Sequence, residues 1–293
     1  MFRLSSCAGC HTLFLDPPPA EAEIPGFYPP RYWWAAPSGS LTRLEAAYRR
    51  LALHDHIAFV ERAVASAGAE SARVRLLDVG CGPGTLLGIL KSRGRHVIGL
   101  DLSPEAAGIA ARENGVPAVT AALENACFPD ACFDVVTMFH VLEHVLDPRA
   151  VLMEVSRLLR PGGRIVLQVP NIDSWQSRLL GVRWWGLHVP RHIVNYSAQS
   201  VQQLVGSTGF AITRVRHFNL RDNAPALASS LCPWLDPQVR AMRQHRAGQT
   251  ESAPESWIKH GLYLALVCAS LPFAGAEAAA GAGATVMIEA VKE

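Results

Sequence analysis

The 293-residue chain is 49% hydrophobic and 18% charged, enough apolar material for a sizeable core without a disulfide framework. A formal net charge of +2 and no basic patch argue against nucleic acid as a partner. Seven scattered cysteines and no secretory leader pattern point to free thiols in a reducing cytoplasm.

Residues 1–40 read differently from the rest of the chain. Cys7 and Cys10 form a CxxC beside His11, and Pro17, Pro18 and Pro19 precede an aromatic run of Tyr28, Tyr32, Trp33 and Trp34. Proline at that density opposes a helix. From Leu41 to Ala67 the pattern turns helical, with Leu44, Ala47, Tyr48, Leu51, Ile57, Val60 and Val64 at helical spacing. From about Arg75, β-branched runs alternate with helical stretches. Strands are predicted at Arg75–Val79, His96–Leu100, Ala118–Thr120, Phe133–Met138 and Arg164–Val169. Helices are predicted at Leu86–Arg93, from the N-cap Ser103 to Asn114, and from Pro148 to Leu159. Arg160-Pro161-Gly162-Gly163 reads as a turn. This alternation predicts an α/β fold with a parallel, doubly wound sheet covered by helices on both faces.

The rhythm breaks after Asn171. A loop rich in Trp, Arg and His spans Trp175 to His192. Ser197 then caps a helix over Gln199–Thr208, which Gly209 ends. Strands come next at Phe210–Phe218 and Thr285–Val291. The span 219–283 exceeds an ordinary connection and predicts helices of its own. Its apolar part, Gly261 to Ala276, contains Pro272 and falls short of the roughly 18 to 20 residues of a membrane-spanning helix. Two readings stand for it: a hydrophobic helix packed on the sheet, or an interfacial anchor reaching a lipid-linked acceptor.

The sharpest constellation is a strand, a glycine loop, a helix and an acid after the next strand. Leu76-Leu77-Asp78-Val79 leads into Gly80-Cys81-Gly82-Pro83-Gly84, and Asp101 ends the second strand. Glycines there permit a sharp turn and close approach of a ligand to backbone. An acid in the place of Asp101 usually meets ribose hydroxyls. A dinucleotide loop needs G-x-G-x-x-G, and here the third glycine comes one residue early with Pro83 in the loop.

The pattern Asp78-x-Gly80-x-Gly82-x-Gly84 followed by Gly99-Leu100-Asp101-Leu102-Ser103 resembles the first two motifs of class I S-adenosylmethionine-dependent methyltransferases. Phe133-Asp134-Val135-Val136, Leu142-Glu143-His144-Val145, Asp147-Pro148 and Leu159-Arg160-Pro161-Gly162-Gly163 continue the likeness in order. The resemblance implies S-adenosyl-L-methionine as cofactor, with Gly80 and Gly82 along its methionine part, Asp78 near its amino group and Asp101 on its ribose. It extends the cofactor set to Cys81, Gly84, Leu102, Leu123 and Phe139. One departure stands out: family members often carry an acid after the third strand, where this chain has Ala121-Ala122-Leu123-Glu124.

His140-Val141-Leu142-Glu143-His144 matches H-x-x-E-H, but it follows a parallel strand and lacks a third ligand in sequence. In some quinone O-methyltransferases the resembling Glu-His pair helps hold a divalent ion. A metal at His140, Glu143 and His144 is therefore one reading. The preferred one is that Glu143 and His144 order the loop, with no metal assigned. Methyl transfer needs acceptor and methyl held in line, and a hydroxyl acceptor benefits from a base. His192 is the chosen base, with His144 and His140 as the other catalytic candidates, and His188 lies nearby. Pro190-Arg191-His192 before Tyr196-Ser197 resembles a segment of ubiquinone-type and sugar methyltransferases. Trp175, Trp184 and Trp185 form either an acceptor wall or packing under the loop.

Cys7, Cys10 and His11 resemble half of a zinc knuckle that precedes some bacterial methyltransferase domains, read here as a degenerate remnant. The lead-in resembles a flap that packs over the cofactor. The expected architecture is a Rossmann-like seven-stranded sheet with an antiparallel last strand. It comprises a flap (1–40), a core (41–218), a helical insertion (219–283) and the last strand (284–293). The expected activity is O-methylation of a small or lipid-linked metabolite, in the cytoplasm, with peripheral membrane contact through 261–276. N- or C-methylation also stands, as do a cofactor-binding partner subunit without catalysis and an NAD-dependent oxidoreductase.

Overall fold

The structure, a computed structural model, describes residues 2–28, 51–68, 74–247 and 251–293. Tyr32, Trp33, Trp34, the helical pattern from Leu41 to Tyr48 and the boundary at residue 40 lie outside the described residues. The strands are β1 (Leu4–Ser6), β2 (Leu13–Leu15), β3 (Arg75–Val79), β4 (His96–Asp101), β5 (Ala118–Thr120), β6 (Phe133–Phe139), β7 (Leu159–Pro170), β8 (Val194–Asn195), β9 (Phe210–Arg216) and β10 (Thr285–Lys292). The α-helices are α1 (His54–Ser66), α2 (Thr85–Ser92), α3 (Pro104–Asn114), α4 (Pro148–Leu158), α5 (Trp175–Leu180), α6 (Ala198–Gly206), α7 (Asn223–Leu231), α8 (Pro237–Ala247) and α9 (Ala253–Ala279).

Seven strands form one sheet in the order β5-β4-β3-β6-β7-β10-β9. Strands β3 to β7 are parallel, and β10 runs antiparallel to β7 and β9, as expected for the last strand. The centre of the sheet follows from its sequence. Successive residues of a strand face opposite sides, so both must be apolar when both faces are covered. Leu76 and Val135 face one layer with Ile57, Val60 and Val64 of α1. Leu77 and Val136 face the other, with Leu152, Val155 and Leu158 of α4 and Val201 and Val205 of α6. Cutting a fully buried leucine such as Leu152 to alanine costs about 2–5 kcal/mol.

Local signals start the helices where they should. Ser103 Oγ accepts the amide of Ala106 at 3.2 Å and Asp147 Oδ1 that of Ala150 at 2.9 Å, each cap being followed by proline at the first helical position. Ser197 and Ser200 form a reciprocal capping box on α6.

Several boundaries differ from the sequence reading. Arg160–Gly163 belongs to β7, not to a separate turn. The register passes from Phe133 opposite Leu159 to Val135 opposite Arg164, and the extra residues bulge there with Gly162 at φ +72°. Residues 175–180 are helical because Ser174 Oγ caps Ser177 N at 3.1 Å. Strand β9 stops at Arg216, short of Phe218. The apolar stretch 261–276 is part of the 27-residue α9, with Pro272 inside it. The segment Pro254–Ala279 is long and apolar enough to cross a membrane, contrary to the expectation from 261–276 alone. That shorter count stops at Gly261, whereas the apolar residues Trp257 and Ile258 lie a turn earlier on the same helix.

Two connections bring distant segments over the C-terminal edge of the sheet, where doubly wound folds bind ligands. The segment after β9 returns across β10 and β7. There Asp55 of α1 accepts Leu220 N at 2.8 Å, and Gln168 Nε2 of β7 donates to Asp222 at 2.7 Å. The hairpin β1–β2 forms a second small sheet with β8, Leu13 facing Asn195 and Phe14 facing Val194.

Candidate active site

The glycine loop leaves β3 and turns back over β4. Gly80 N and Cys81 N both donate to Leu100 O, at 2.7 and 3.1 Å. Gly80 and Gly84 both adopt φ +71°, where a side chain is strained. A Cβ on Gly80 would also strike Val141, and one on Gly84 would lie 2.8 Å from Ala110 Cβ. Asp101, at the end of β4, ties the loop down. Its Oδ2 accepts Gly82 N and its Oδ1 accepts Ser103 N, each at 2.8 Å. Each oxygen keeps a second lone pair, which suits a ribose hydroxyl. Leu102 beside it is 73% exposed, free to cover a flat ring. Leu123 is buried after β5, and Ala121 N donates to Asp101 O at 3.2 Å.

Asp78 is buried at the end of β3, and Thr137 Oγ1 donates to it at 2.6 Å. Burial pushes its carboxyl up to about 7, against the pull of Thr137. An ammonium group placed here would hold it ionised. Phe139, at the end of β6, packs edge-on against the ring of His56, centroids 4.9 Å apart.

A cluster of acids and imidazoles follows β6. His140 sits at φ +58° with Nδ1 3.0 Å from Glu143 Oε1 and Nε2 2.8 Å from Gln168 Nε2. Burial alone would lower this imidazole, but Asp222 and Glu143 outweigh it and hold it up at about 9. Both its ring nitrogens face protein groups, so the placing of His140 as a base or a metal ligand is not supported by its geometry.

His192 replaces His140 in the convergent group. His192 Nδ1 donates to Gly186 O at 2.8 Å, which leaves Nε2 with its lone pair 4.0 Å from Glu143 Oε1. His144 Nδ1 lies 2.9 Å from Arg191 O and 3.0 Å from Tyr28 Oη. Burial lowers both His144 and His192, the latter well below the usual imidazole value, so both are neutral. Glu143 Oε2 is buried without a hydrogen-bond partner. Among the described residues, Glu143, His144 and His192 offer three ligand atoms within 4.8 Å of one another.

The tryptophans divide. Trp184 is buried and leaves no room for a side chain on Gly186, whereas Trp185 stacks on His188 at 5.1 Å. Trp175 meets Phe273 of α9 at 6.1 Å. Below the loop, Gln176 Nε2 donates to Glu277 at 2.6 Å and to Asn223 O at 2.9 Å. The described part of the flap reaches the histidine corner: Tyr28 meets His144, and Arg191 Nε donates to Phe27 O at 2.9 Å. The hairpin keeps its CxxC, with Cys10 Sγ donating to Thr12 Oγ1 at 3.2 Å.

Sequence reasoning does not place His56, Gln168 and Asp222 in the site, and it names Tyr28 only as part of the lead-in. No spacing rule links them to the histidine motif.

The glycine loop, the acid closing β4 and the antiparallel β10 mark a Rossmann-like methyltransferase fold. A family model for the methyltransferase domain matches residues 46–215, and the chain belongs to that family. Membership of that family displaces the nicotinamide reading. A ubiquinone biosynthesis O-methyltransferase of Aeromonas salmonicida is 42% identical over 126 residues, 40% of this chain and 52% of that protein. An uncharacterized 37.1 kDa protein in transposon TN4556 of Streptomyces fradiae is 34% identical over 200 residues, 60% of this chain and 58% of that one. The chain thus spans about half the length of the curated relatives it matches. Among solved structures, the [4+2]-cyclase SpnF shares the fold with TM-score 0.51 and 22% identity, over 80% of this chain and 79% of that one. A putative sarcosine dimethylglycine methyltransferase from Galdieria sulphuraria does so with TM-score 0.52 and 15% identity, over 82% and 84%.

Proposed function

We propose that this methyltransferase O-methylates a small or lipid-linked hydroxylated metabolite, with His192 as general base. The carrying observation is the orientation of His192. Its Nδ1 is committed to Gly186 O, and its basic Nε2 is turned toward the buried Glu143. Homology to O-methyltransferases over part of the chain supports the choice of oxygen.

S-adenosyl-L-methionine, when bound, supplies a methyl group on a sulfonium open to in-line displacement. Asp78 would hold its ammonium, Asp101 its ribose hydroxyls, and Leu102 and Leu123 would flank its adenine. The acceptor hydroxyl donates its hydrogen bond to His192 Nε2. His192 Nε2 would take up that proton as the hydroxyl oxygen accepts the methyl group that the donor supplies. Glu143 steadies the imidazolium that results, and His140, fixed between Glu143 and Asp222, holds Glu143 in place. A His192→Gln variant is expected to lose roughly 10²–10⁴ in kcat with donor binding unchanged. Full turnover would sink the assignment.

A second reading is favoured by the orphaned Glu143 Oε2 together with the two imidazoles whose Nδ1 atoms face backbone carbonyls. That arrangement suits a divalent cation held by Glu143, His144 and His192, which would make the acceptor hydroxyl more acidic directly. Metal analysis of the purified protein, with turnover before and after chelation, separates the two. A stoichiometric ion whose removal abolishes turnover favours the cation.

The lipid-linked acceptor is supported by α9. Trp257 and Ile258 are 60% and 64% exposed, Leu262 and Leu264 follow them, and Trp234 adds a further open ring. An apolar face of this kind suits the headgroup boundary of a bilayer. Flotation with anionic vesicles tests it. The intact chain is expected to float, and a Trp257→Ser, Ile258→Ser, Leu262→Ser variant is expected to stay behind. Equal partitioning would remove the membrane from the reading.

A further inference from the structure

We infer that Cys7 and Cys10 form a thiol–disulfide exchange site that takes soluble disulfides, and that its oxidation state is transmitted through β2 and β8 to the histidine corner. The chemistry of the pair stands apart from the proposed base, and only its bearing on turnover rests on the reading of His192.

The two cysteines lie on the turn between β1 and β2. His11 N donates to Cys7 O and Cys7 N to Thr12 O, each at 2.9 Å, so the turn closes on itself and keeps both sulfurs on one short loop. Both residues are half-buried, open to a small reagent yet fixed in place. The Cys10 amide, the Gly9 amide and the Cys10 thiol turn toward the Cys7 sulfur and lower it below the usual thiol range. Among the described residues, no third His, Cys, Asp or Glu joins the pair in a metal-ready group. A thiolate with a second thiol beside it is what exchange with a disulfide requires. Cys7, as thiolate, attacks one sulfur of the incoming disulfide, whose S–S bond breaks and releases the first thiolate. Cys10 then gives its proton to water and attacks the Cys7 sulfur, which releases the second thiolate and closes the Cys7–Cys10 bond. The released thiolates take up the protons that the cysteines lost. The cysteine pair is oxidised and the soluble disulfide is reduced to its thiols.

Oxidation reaches beyond the turn because the Cys10 proton ties the turn to the hairpin. Cys10 Sγ donates to Thr12 Oγ1 at 3.2 Å, and a disulfide removes that donor. Thr12 is buried and leads directly into β2. Strand β2 pairs with β8, and beside that pairing Leu15 N donates to Ile193 O at 2.9 Å. Ile193 follows His192 in the chain, and Ile193 N donates to Glu143 O at 2.8 Å. A shift of β2 therefore pulls on the backbone at both Glu143 and His192. The hairpin lies before residue 46, outside the matched family region, so this input is separate from the domain it acts on.

The test places the full chain in oxidised and in reduced glutathione. Acid-quenched alkylation and peptide mass are expected to show a Cys7–Cys10 disulfide that forms in the first and opens in the second. Cys10→Ser keeps a hydroxyl donor for Thr12 but cannot close the bond, so Cys7 is expected to accumulate as a mixed disulfide with glutathione. Amide hydrogen exchange at Leu15 and Ile193 is expected to quicken about tenfold when the wild type is oxidised, and to stay within about twofold in a variant with both Cys7→Ser and Cys10→Ser. Cys7 and Cys10 left as free thiols in oxidised glutathione would overturn the site, as would a tightly bound metal ion on the pair. A disulfide that leaves both amides exchanging as before would overturn the coupling. A His192→Gln chain with full turnover would remove the base and leave each of these readouts in place.

Discussion

The carbonyl of Gly186 holds His192 by its Nδ1 at 2.8 Å, and Gly186 itself has no space for a side chain because the ring of Trp184 fills it. The packing of one loop residue thus sets the tautomer of His192, the proposed base, further along the loop. Gly186→Ala should displace that carbonyl. The expected result is a fall in kcat of at least about tenfold, with S-adenosylhomocysteine binding retained. Unaltered kcat would separate the Trp184 packing from the chemistry.

Asp101 should matter before any ribose arrives. Asp101→Ala leaves Gly82 N and Ser103 N without their acceptor, a cost of roughly 2–4 kcal/mol. Thermal unfolding of the ligand-free variant should fall by about 5–10 °C. A variant that melts with the wild type would show the loop to be held by other contacts.

Donor binding should depend on pH through Asp78. Burial raises its carboxyl to about 7, so below that pH it is protonated in the free protein. An incoming ammonium needs the carboxylate. Affinity for S-adenosylhomocysteine should therefore weaken as pH falls below 7, approaching about tenfold per pH unit. Affinity for 5′-methylthioadenosine, with no ammonium, should lack that slope. Parallel curves for both would assign the titration to another group.

Glu277 ties α9 to α5 and should carry a stability signature. It is fully buried and accepts from Gln176 and Ala284, yet burial still raises it to about 7. A carboxyl raised in the folded state contributes stability below its unfolded value, near 4.5, and loses it as pH climbs to 7. That loss is on the order of 3 kcal/mol. Urea midpoints should decline across that window for the wild type and less so for Glu277→Gln. Identical pH profiles would mean that Glu277 stays ionised throughout.

The sheet and donor loop are legible in the sequence because their determinants are local. Asp78, Gly80, Gly82, Gly84 and Asp101 lie within one β-α-β unit, and alternating apolar runs such as Leu76-Leu77 mark strands covered on both faces. Order alone names His144 and His192, but it does not group them. His140 and His192 are alike in sequence. Only the structure shows that the first is occupied on both nitrogens, Nδ1 by Glu143 and Nε2 by Gln168 and Asp222. Arg160–Gly163 reads as a turn because a bulge inside a strand uses the same glycines. The length of α9 is hidden because Lys259 and His260 interrupt an apolar run that the helix carries through.

The crossing of residues 217–222 has an evolutionary corollary. Asp55 and Asp222 clasp an early helix to a late insertion, so the pocket's boundary does not coincide with the segment shared by relatives. A chimera that grafted residues 46–215 onto another C-terminal region would inherit the half of the pocket shaped by the glycine loop. It would take its remaining wall from a stranger.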